Sequence, residues 1–297
     1  MASRGIKIYG NAMADSSLSE APDLESGGTF TTSFESRYAI DCDRNSAARI
    51  NMDGTHTTAR YRTSFDSTAG PEGITHFYFK WDNFPLFAEA DQTYPQHSED
   101  QGYFITLANQ ILDGAGFAFN SPPDYWMLDI TAKKGSVWCT LNPLTSPDST
   151  FSELGMKVYS SGGWSTTMNM DIKHLIWCKE LDIQAPLFNV GTVVAGDNQN
   201  VSRTLDGSLR SSNYGFDVRP QLTINFESVD TATKDNLTAH YTAHFGGTLP
   251  FIVTHDAGYP TASPSIDNVI PCVYGGPMTV VESQTELWDI TMILRGI

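Results

Sequence analysis

Thr75-His76-Phe77-Tyr78-Phe79-Lys80-Trp81 is the stretch that decides the fold class. In an extended chain His76, Tyr78 and Lys80 fall on one face. Phe77, Phe79 and Trp81, with Thr75, fall on the other, so one aromatic set is placed to face a core. The same short-period pattern recurs outward from it. Strands are expected at 29–34, 38–42, 116–120, 125–130, 137–141, 156–159, 168–172 and 174–178. Turn signals separate them: Asp53-Gly54, Gly70-Pro71, Asp113-Gly114, Ser121-Pro122-Pro123-Asp124 and Ser161-Gly162-Gly163. Many short strands punctuated by Gly and Pro read as a β-sandwich or jelly roll. One helix is expected in this half, at 101–112, because Tyr103, Leu107 and Ile111 recur at i, i+4, i+8.

Past Ala185-Pro186 the pattern changes, and a domain boundary is expected at 188/189. The second half is a strand at 188–194, a turn at Asp206-Gly207-Ser208, and a strand at 221–227 with Leu222, Ile224 and Phe226 on one face. A helix is predicted over 231–245, with Asp230 or Thr231 as N-cap and Leu237, Tyr241 and Phe245 as its apolar stripe. Gly246-Gly247 is the stop. Strands at 249–254, 269–274, 278–282 and 286–294 close the chain. The expected fold is mainly β, in two sandwich domains. Residues 1–28 form an extended arm that begins with the strand-like Ile6-Lys7-Ile8-Tyr9. Residues 29–188 form a jelly-roll-like sandwich, and 189–297 a smaller sandwich with one flanking helix.

The 297 residues carry 18 Lys and Arg against 34 Asp and Glu, a formal net charge of −16. Phosphate binding needs clustered cations. The longest basic run here is Lys133-Lys134, so sequence-specific nucleic-acid binding is not expected. Apolar runs are short, as in Phe84-Pro85-Leu86-Phe87-Ala88, so no membrane insertion is expected. The first residues lack the apolar core of a secretory signal. Cys42, Cys139, Cys178 and Cys272 form no C-x-x-C pair and read as small buried hydrophobes.

Enzyme chemistry finds no anchor. No G-x-S-x-G, phosphate-binding loop or dinucleotide fingerprint is present. His240-x-x-x-His244 puts two imidazoles on one side of the expected helix, a spacing used in zinc sites. No Glu follows the first His, so the pair reads as a polar helix face beside the apolar stripe, and no metal or cofactor is expected. Paired carboxylates at Asp41/Asp43, Glu89/Asp91 and Glu99/Asp100 read as solvated turns rather than a glycosidase dyad. Trp126, Trp138, Trp164 and Trp177 concentrate in the first half. Trp138 and Trp177 sit in apolar strands and read as core. Trp164, between Gly162-Gly163 and Ser165-Thr166-Thr167, is the candidate for stacking on a sugar, with Tyr125 and Trp126.

The second half carries a resemblance. It rests on Asp206-Gly207-Ser208-Leu209, then Leu222-Thr223-Ile224-Asn225-Phe226, then the 231–245 helix. Gly246-Gly247-Thr248-Leu249-Pro250-Phe251 follows, then Val273-Tyr274-Gly275-Gly276-Pro277 and Leu287-Trp288-Asp289-Ile290-Thr291-Met292. In that order the elements resemble the distal tail and minor tail proteins of tailed bacteriophages, over roughly the last third of the chain. The resemblance implies a β-sandwich with one flanking helix that self-associates into a ring, commonly a hexamer, among other tail proteins. It implies a virion protein assembled in the host cytoplasm, without enzymatic activity. The first half is similar to the carbohydrate-binding domains that some distal tail proteins carry, which implies contact with host-surface glycans. The excess acid would then line a channel through which DNA slides without sticking. The alternative is a carbohydrate-binding or receptor-binding module with no ring role, and a weaker one is a polysaccharide-degrading enzyme.

Overall fold

The computed structural model describes residues 5–15, 23–26, 28–30, 35–39, 47–52, 58–65, 73–83, 103–111, 117–119, 125–129, 134–143, 151–160, 169–183, 190–195, 199–203, 209–213, 219–244, 249–256 and 269–297. The first half contributes β1 (Gly5–Asn11), β2 (Asp23–Ser26), β3 (Gly28–Phe30), β4 (Ala48–Met52), β5 (Thr58–Ser64) and β6 (His76–Asp82). It continues with β7 (Tyr103–Ile111), β8 (Phe117–Phe119), β9 (Tyr125–Asp129), β10 (Lys134–Pro143), β11 (Phe151–Ser160) and β12 (Asn169–Glu180). The second half has β13 (Val190–Ala195), β14 (Gln199–Arg203), β15 (Leu209–Asn213), β16 (Arg219–Val229) and the helix α1 (Thr231–His244). It ends in β17 (Phe251–Asp256), β18 (Val269–Tyr274), β19 (Thr279–Gln284) and β20 (Leu287–Gly296). The protein is mainly β, as its alternating patterns require.

The large sheet has 14 strands and runs β13-β16-β20-β18-β17-β1-β12-β6-β10-β8 along its main path. β2-β5-β11-β7 form a second sheet, and β14-β15 a hairpin. The large sheet joins strands from both sides of the expected boundary at 188/189, which itself lies outside the described residues. The join is β1. Its residues Gly5 to Tyr9 pair antiparallel with β17, and Tyr9 to Asn11 pair with β12. The opening of the expected arm is thus a central strand. Its composition suits that place: Ile6 and Ile8 are buried on one face and Tyr9 on the other.

Two cores follow from the two faces. On one, Ile6, Ile8, Phe251, Val253, Ile270, Cys272, Met292 and Leu294 pack with Leu237 of α1. On the other, Tyr9, Tyr78, Trp138, Ile176, Cys178 and Ile252 pack together. β6 lies between β12 and β10, and both its faces are covered: Phe77, Phe79 and Trp81 are buried, but so are His76 and Tyr78. His76 stacks on Trp138 at 4.9 Å, with Tyr9 edge-on to both rings. Trp138 and Trp177 are core residues, as expected, and Cys178 and Cys272 are buried free thiols.

Three expectations are corrected. Residues 103–111 form strand β7, paired with β11 from Tyr103↔Ser160 to Ile111↔Phe151, and not a helix. A spacing of four residues is two strand periods as well as about one helical turn, so Tyr103, Leu107 and Ile111 fit either. The aromatic and β-branched Tyr103-Phe104-Ile105-Thr106 and the waiting edge of β11 decide for the strand. Ser36–Ala39 is a 3₁₀ turn where the strand 38–42 was expected. Five residues are too few to establish a period. The strands expected at 168–172 and 174–178 are one, β12, whose register against β6 slips between Ile172 and His174. The extra residue of that bulge is what made the alternation look broken.

β12 also carries a buried charge. Asp171, 4% exposed, lies directly opposite Arg49 of β4 and takes both prongs of its guanidinium, at 2.6 and 2.7 Å. The Asn83 amide donates to Asp171 Oδ2 at 2.6 Å. Its hydrogen bond to Asp171 holds Arg49 above its ordinary range, against the pull of burial. Replacing Arg49 with Met leaves the Asp171 carboxylate buried with one neutral donor. The expected loss is about 3 kcal/mol, read as a lower urea midpoint with an unchanged slope.

Candidate functional site

Two residues whose chemistry stood out in the sequence, His240 and His244, come together with Asn11 and Tyr274 between α1, β1 and β18. α1 starts where Asp230 caps it: Asp230 Oδ1 accepts the Thr233 amide at 2.8 Å. That bond and the Thr233 hydroxyl hold the Asp230 carboxyl below its usual range. The buried side of the helix is Thr233, Leu237, His240 and His244, with Tyr241 half-buried beside it. The Thr and Ala residues at 231, 232, 238, 239 and 242 face out.

Both histidines therefore point into the core, each 5% exposed, and not onto a polar face. The signal was present in the sequence. Leu237, His240, Tyr241 and His244 stand at i, i+3, i+4, i+7, one side of a helix. Scoring histidine as polar concealed it. Phe245 of the expected stripe lies outside the described residues.

The hydrogen bonds assign the state of His244. Its Nδ1 stands 2.9 Å from the His240 carbonyl, which can only accept, so Nδ1 carries the proton. Its Nε2 stands 3.0 Å from the Asn11 amide, which can only donate, so Nε2 carries the lone pair. His244 is thus neutral, with both nitrogens committed to backbone groups. The Asn11 side chain completes the clamp: Nδ2 donates to the Pro250 carbonyl at 3.0 Å, and Oδ1 accepts the Met13 amide at 2.9 Å.

His240 lies on His244, ring centroids 4.1 Å apart, with Phe251 edge-on at 4.7 Å. Its Nδ1 is 2.6 Å from the Tyr274 hydroxyl. Its Nε2 is buried and has no hydrogen-bond partner among the described residues. Burial, then the neighbouring His244, keeps His240 well below the usual imidazole range. Burial, with Cys272 and Tyr241 nearby, raises Tyr274. So the ring is neutral and the phenol protonated at neutral pH. Gly10 makes the fit possible: a Cβ there would stand 3.3 Å from His240 Cδ2 and 3.5 Å from His244 Cε1.

This geometry is not that of a metal centre. A metal needs the lone pair that His244 spends on Asn11. His255, a conceivable further ligand, pairs with Ile6 on β1. That is five residues from Asn11, about 16 Å along the strand. Among the described residues no three His, Cys, Asp or Glu side chains are grouped to hold a metal.

The aromatic sugar candidates are not brought together here. Trp164 lies outside the described residues. Tyr125 and Trp126 are on β9, in register with Trp138 and Val137, and their side chains are outside the description. The carboxylates at 41, 43, 89, 91, 99 and 100 also lie outside it. Sequence reasoning missed the Arg49–Asp171–Asn83 group, because the partners meet only through strand pairing. Among the described residues no helix is long and apolar enough to cross a membrane. No family model matches the chain, and no curated protein matches it.

Two outcomes follow. Gly10→Ala forces the His240 ring to yield by a few tenths of an ångström. The expected cost is about 1 kcal/mol, rising to about 3 for Gly10→Val, as for other overpacked cores, and thermal melts of the two variants would rank them. The second concerns acid. Burial holds His76 near pH 3, helped by Lys7, and His174 near pH 3, helped by Lys80 and Lys173. Above pH 6.5 neither the folded nor the unfolded chain protonates these rings, and stability is full. As pH falls from about 6.5 toward 3, only the unfolded chain takes up the protons, and stability is lost. At pH 5 each ring accounts for about 2 kcal/mol, and His240 adds in the same direction. Urea unfolding at pH 7.5 and 5.0 measures the difference; equal stabilities would contradict the burial of these rings.

Proposed function

We propose that the chain is a structural virion protein of the distal tail or minor tail kind, whose second half builds an oligomeric ring and whose first half decorates it. Hexamers are what the resemblance implies, with other tail proteins as neighbours. The observation that carries this reading is the margin of the helix-backed sheet. β19 pairs with β20 and with no other strand among the described residues. Its outward residues are exposed, and Val281 is an exposed large hydrophobic, at 54%. A strand of this kind presents backbone donors and acceptors to a neighbouring subunit.

Two further points support it. The helix and strands follow the order on which the resemblance rests, from β16 through α1 and β17 to β20. The polar cluster most suggestive of chemistry is committed to holding β1, which fits a scaffold. The net charge of −16 per chain multiplies with subunit number, and an acidic channel repels the phosphates of passing DNA.

Size-exclusion chromatography with light scattering tests the reading. A ring gives a mass several times the 32.6 kDa of the chain. Val281→Lys is expected to lower the assembled fraction and leave the melting temperature of the subunit unchanged. A wild-type chain that stays monomeric at all concentrations overturns the proposal.

A further inference from the structure

Two elements of the second half each have an edge to fill, and they differ in charge. β14 and β15 pair with each other, from Gln199↔Asn213 to Arg203↔Leu209, and with no further strand among the described residues. A two-stranded ribbon by itself is marginal in water, and a third strand is what stabilises it. β19 offers that strand. It pairs with β20 on one side, and Thr279 and the residues from Val281 to Gln284 are exposed. Resting on the ring reading above, we propose that these are the two halves of one interface. The β14–β15 hairpin of one copy adds to the open edge of β19 in the next, with β15 antiparallel to β19.

Charge selects this occupant. Residues 189–297 contain five Lys and Arg, namely Arg203, Arg210, Arg219, Lys234 and Arg295, and two of the five stand in the hairpin strands. The β19–β20 end is acidic. Glu282 and Glu286 are exposed there, and Asp289 stands opposite Val281. Lys234, over the Trp288 ring, is engaged by Asp235 at 2.7 Å. An antiparallel register with Arg210 opposite Glu282 sets all five residues of β15 against β19. Leu209 then meets Ser283, Ser211 meets Val281, Ser212 meets Val280 and Asn213 meets Thr279. Opposed charges at such a pair share one face of the sheet and attract. The backbone bonds supply the affinity, and the Arg–Glu pair fixes the register. The added strand also covers Val281, which is 54% exposed in the single chain. Hairpin and edge are different surfaces, so the contact runs head to tail, and each copy gives one and receives one. Repeated, it closes a ring when the rotation allows. Pairing β19 with its own copy would stop at two chains and bring no basic residue to the edge.

Light scattering of the full chain over a range of concentrations, at low salt, reads the contact. Arg210→Glu and Glu282→Arg are each expected to raise the concentration needed for assembly about tenfold. The chain with both exchanges is expected to return to within about threefold of the wild type. A second measurement needs no charge variant to fold. A chain with Ser211→Cys is mixed with a chain with Val281→Cys and oxidised. Opposed Cα atoms of an antiparallel pair stand about 4.5–5.5 Å apart, within disulfide reach. A disulfide-linked pair of the two chains, which neither forms alone, is expected on a non-reducing gel. A wild-type chain that is monomeric at every concentration overturns the ring reading and this contact with it. An assembled wild type that neither charge reversal weakens leaves the ring reading standing and overturns the hairpin contact. So does an assembled mixture without the crosslink, or a double exchange that restores nothing.

Discussion

The backbone pairing of seven residues, Gly5 to Asn11, is the constraint on which the rest of this structure depends. A strand inside a sheet must satisfy donors and acceptors on both edges. β1 does so with β12 on one side and β17 on the other. Remove it, and the large sheet is two sheets with two open edges. The pairing also sets the composition of the strand. A half-exposed strand alternates apolar and polar residues, but β1 must be apolar on both faces where both are covered. Ile6 and Ile8 serve the helix-side core and Tyr9 the opposite one, while Lys7 reaches solvent, near Glu180. At that exposure the ion pair contributes little.

Burial on both faces explains how the protein treats its histidines. Four are buried among the described residues: His76, His174, His240 and His244. An imidazole is among the few polar groups that a core can hold neutral at ordinary pH, because its pKa lies so close to neutrality. His76 is held by the Thr75 hydroxyl at 2.8 Å and by stacking on Trp138. His244 is held by two backbone groups. In these places histidine serves as a flat ring with a directional bond, and at His244 phenylalanine would leave the Asn11 amide unanswered.

Much of the fold was legible in the sequence, for local reasons. The β6, β16 and β20 patterns alternate over enough residues to leave no other reading, and the helix announces itself through Asp230 at one end and Gly246-Gly247 beyond the other. What was not legible depended on contacts distant in sequence. Ile6-Lys7-Ile8-Tyr9 reads as a strand, but nothing in four residues says that its neighbours are β12 and β17. Residues 103–111 satisfied two periods at once, and only β11 chose between them. The candidate site was half legible. The spacing of His240 and His244 was visible, as was their side of the helix. Their partners Asn11 and Tyr274 were not, because no local rule links residue 11 to residue 244.

That separation has a consequence for how the chain reaches this state. The bond from Asn11 to His244 closes a span of 233 residues, and that from Asn11 to Pro250 one of 239. Closing a loop of this length costs about 5 kcal/mol of chain entropy, beyond a constant. During synthesis β1 emerges long before either strand that will flank it. It must wait, unpaired and apolar on both faces, until β17 has left the ribosome. β12 and β17 likewise wait with bare edges, which attract other chains. The pairing of β1 is therefore a contact of long loop closure, and until it forms β12 and β17 keep open edges on which another chain could pair.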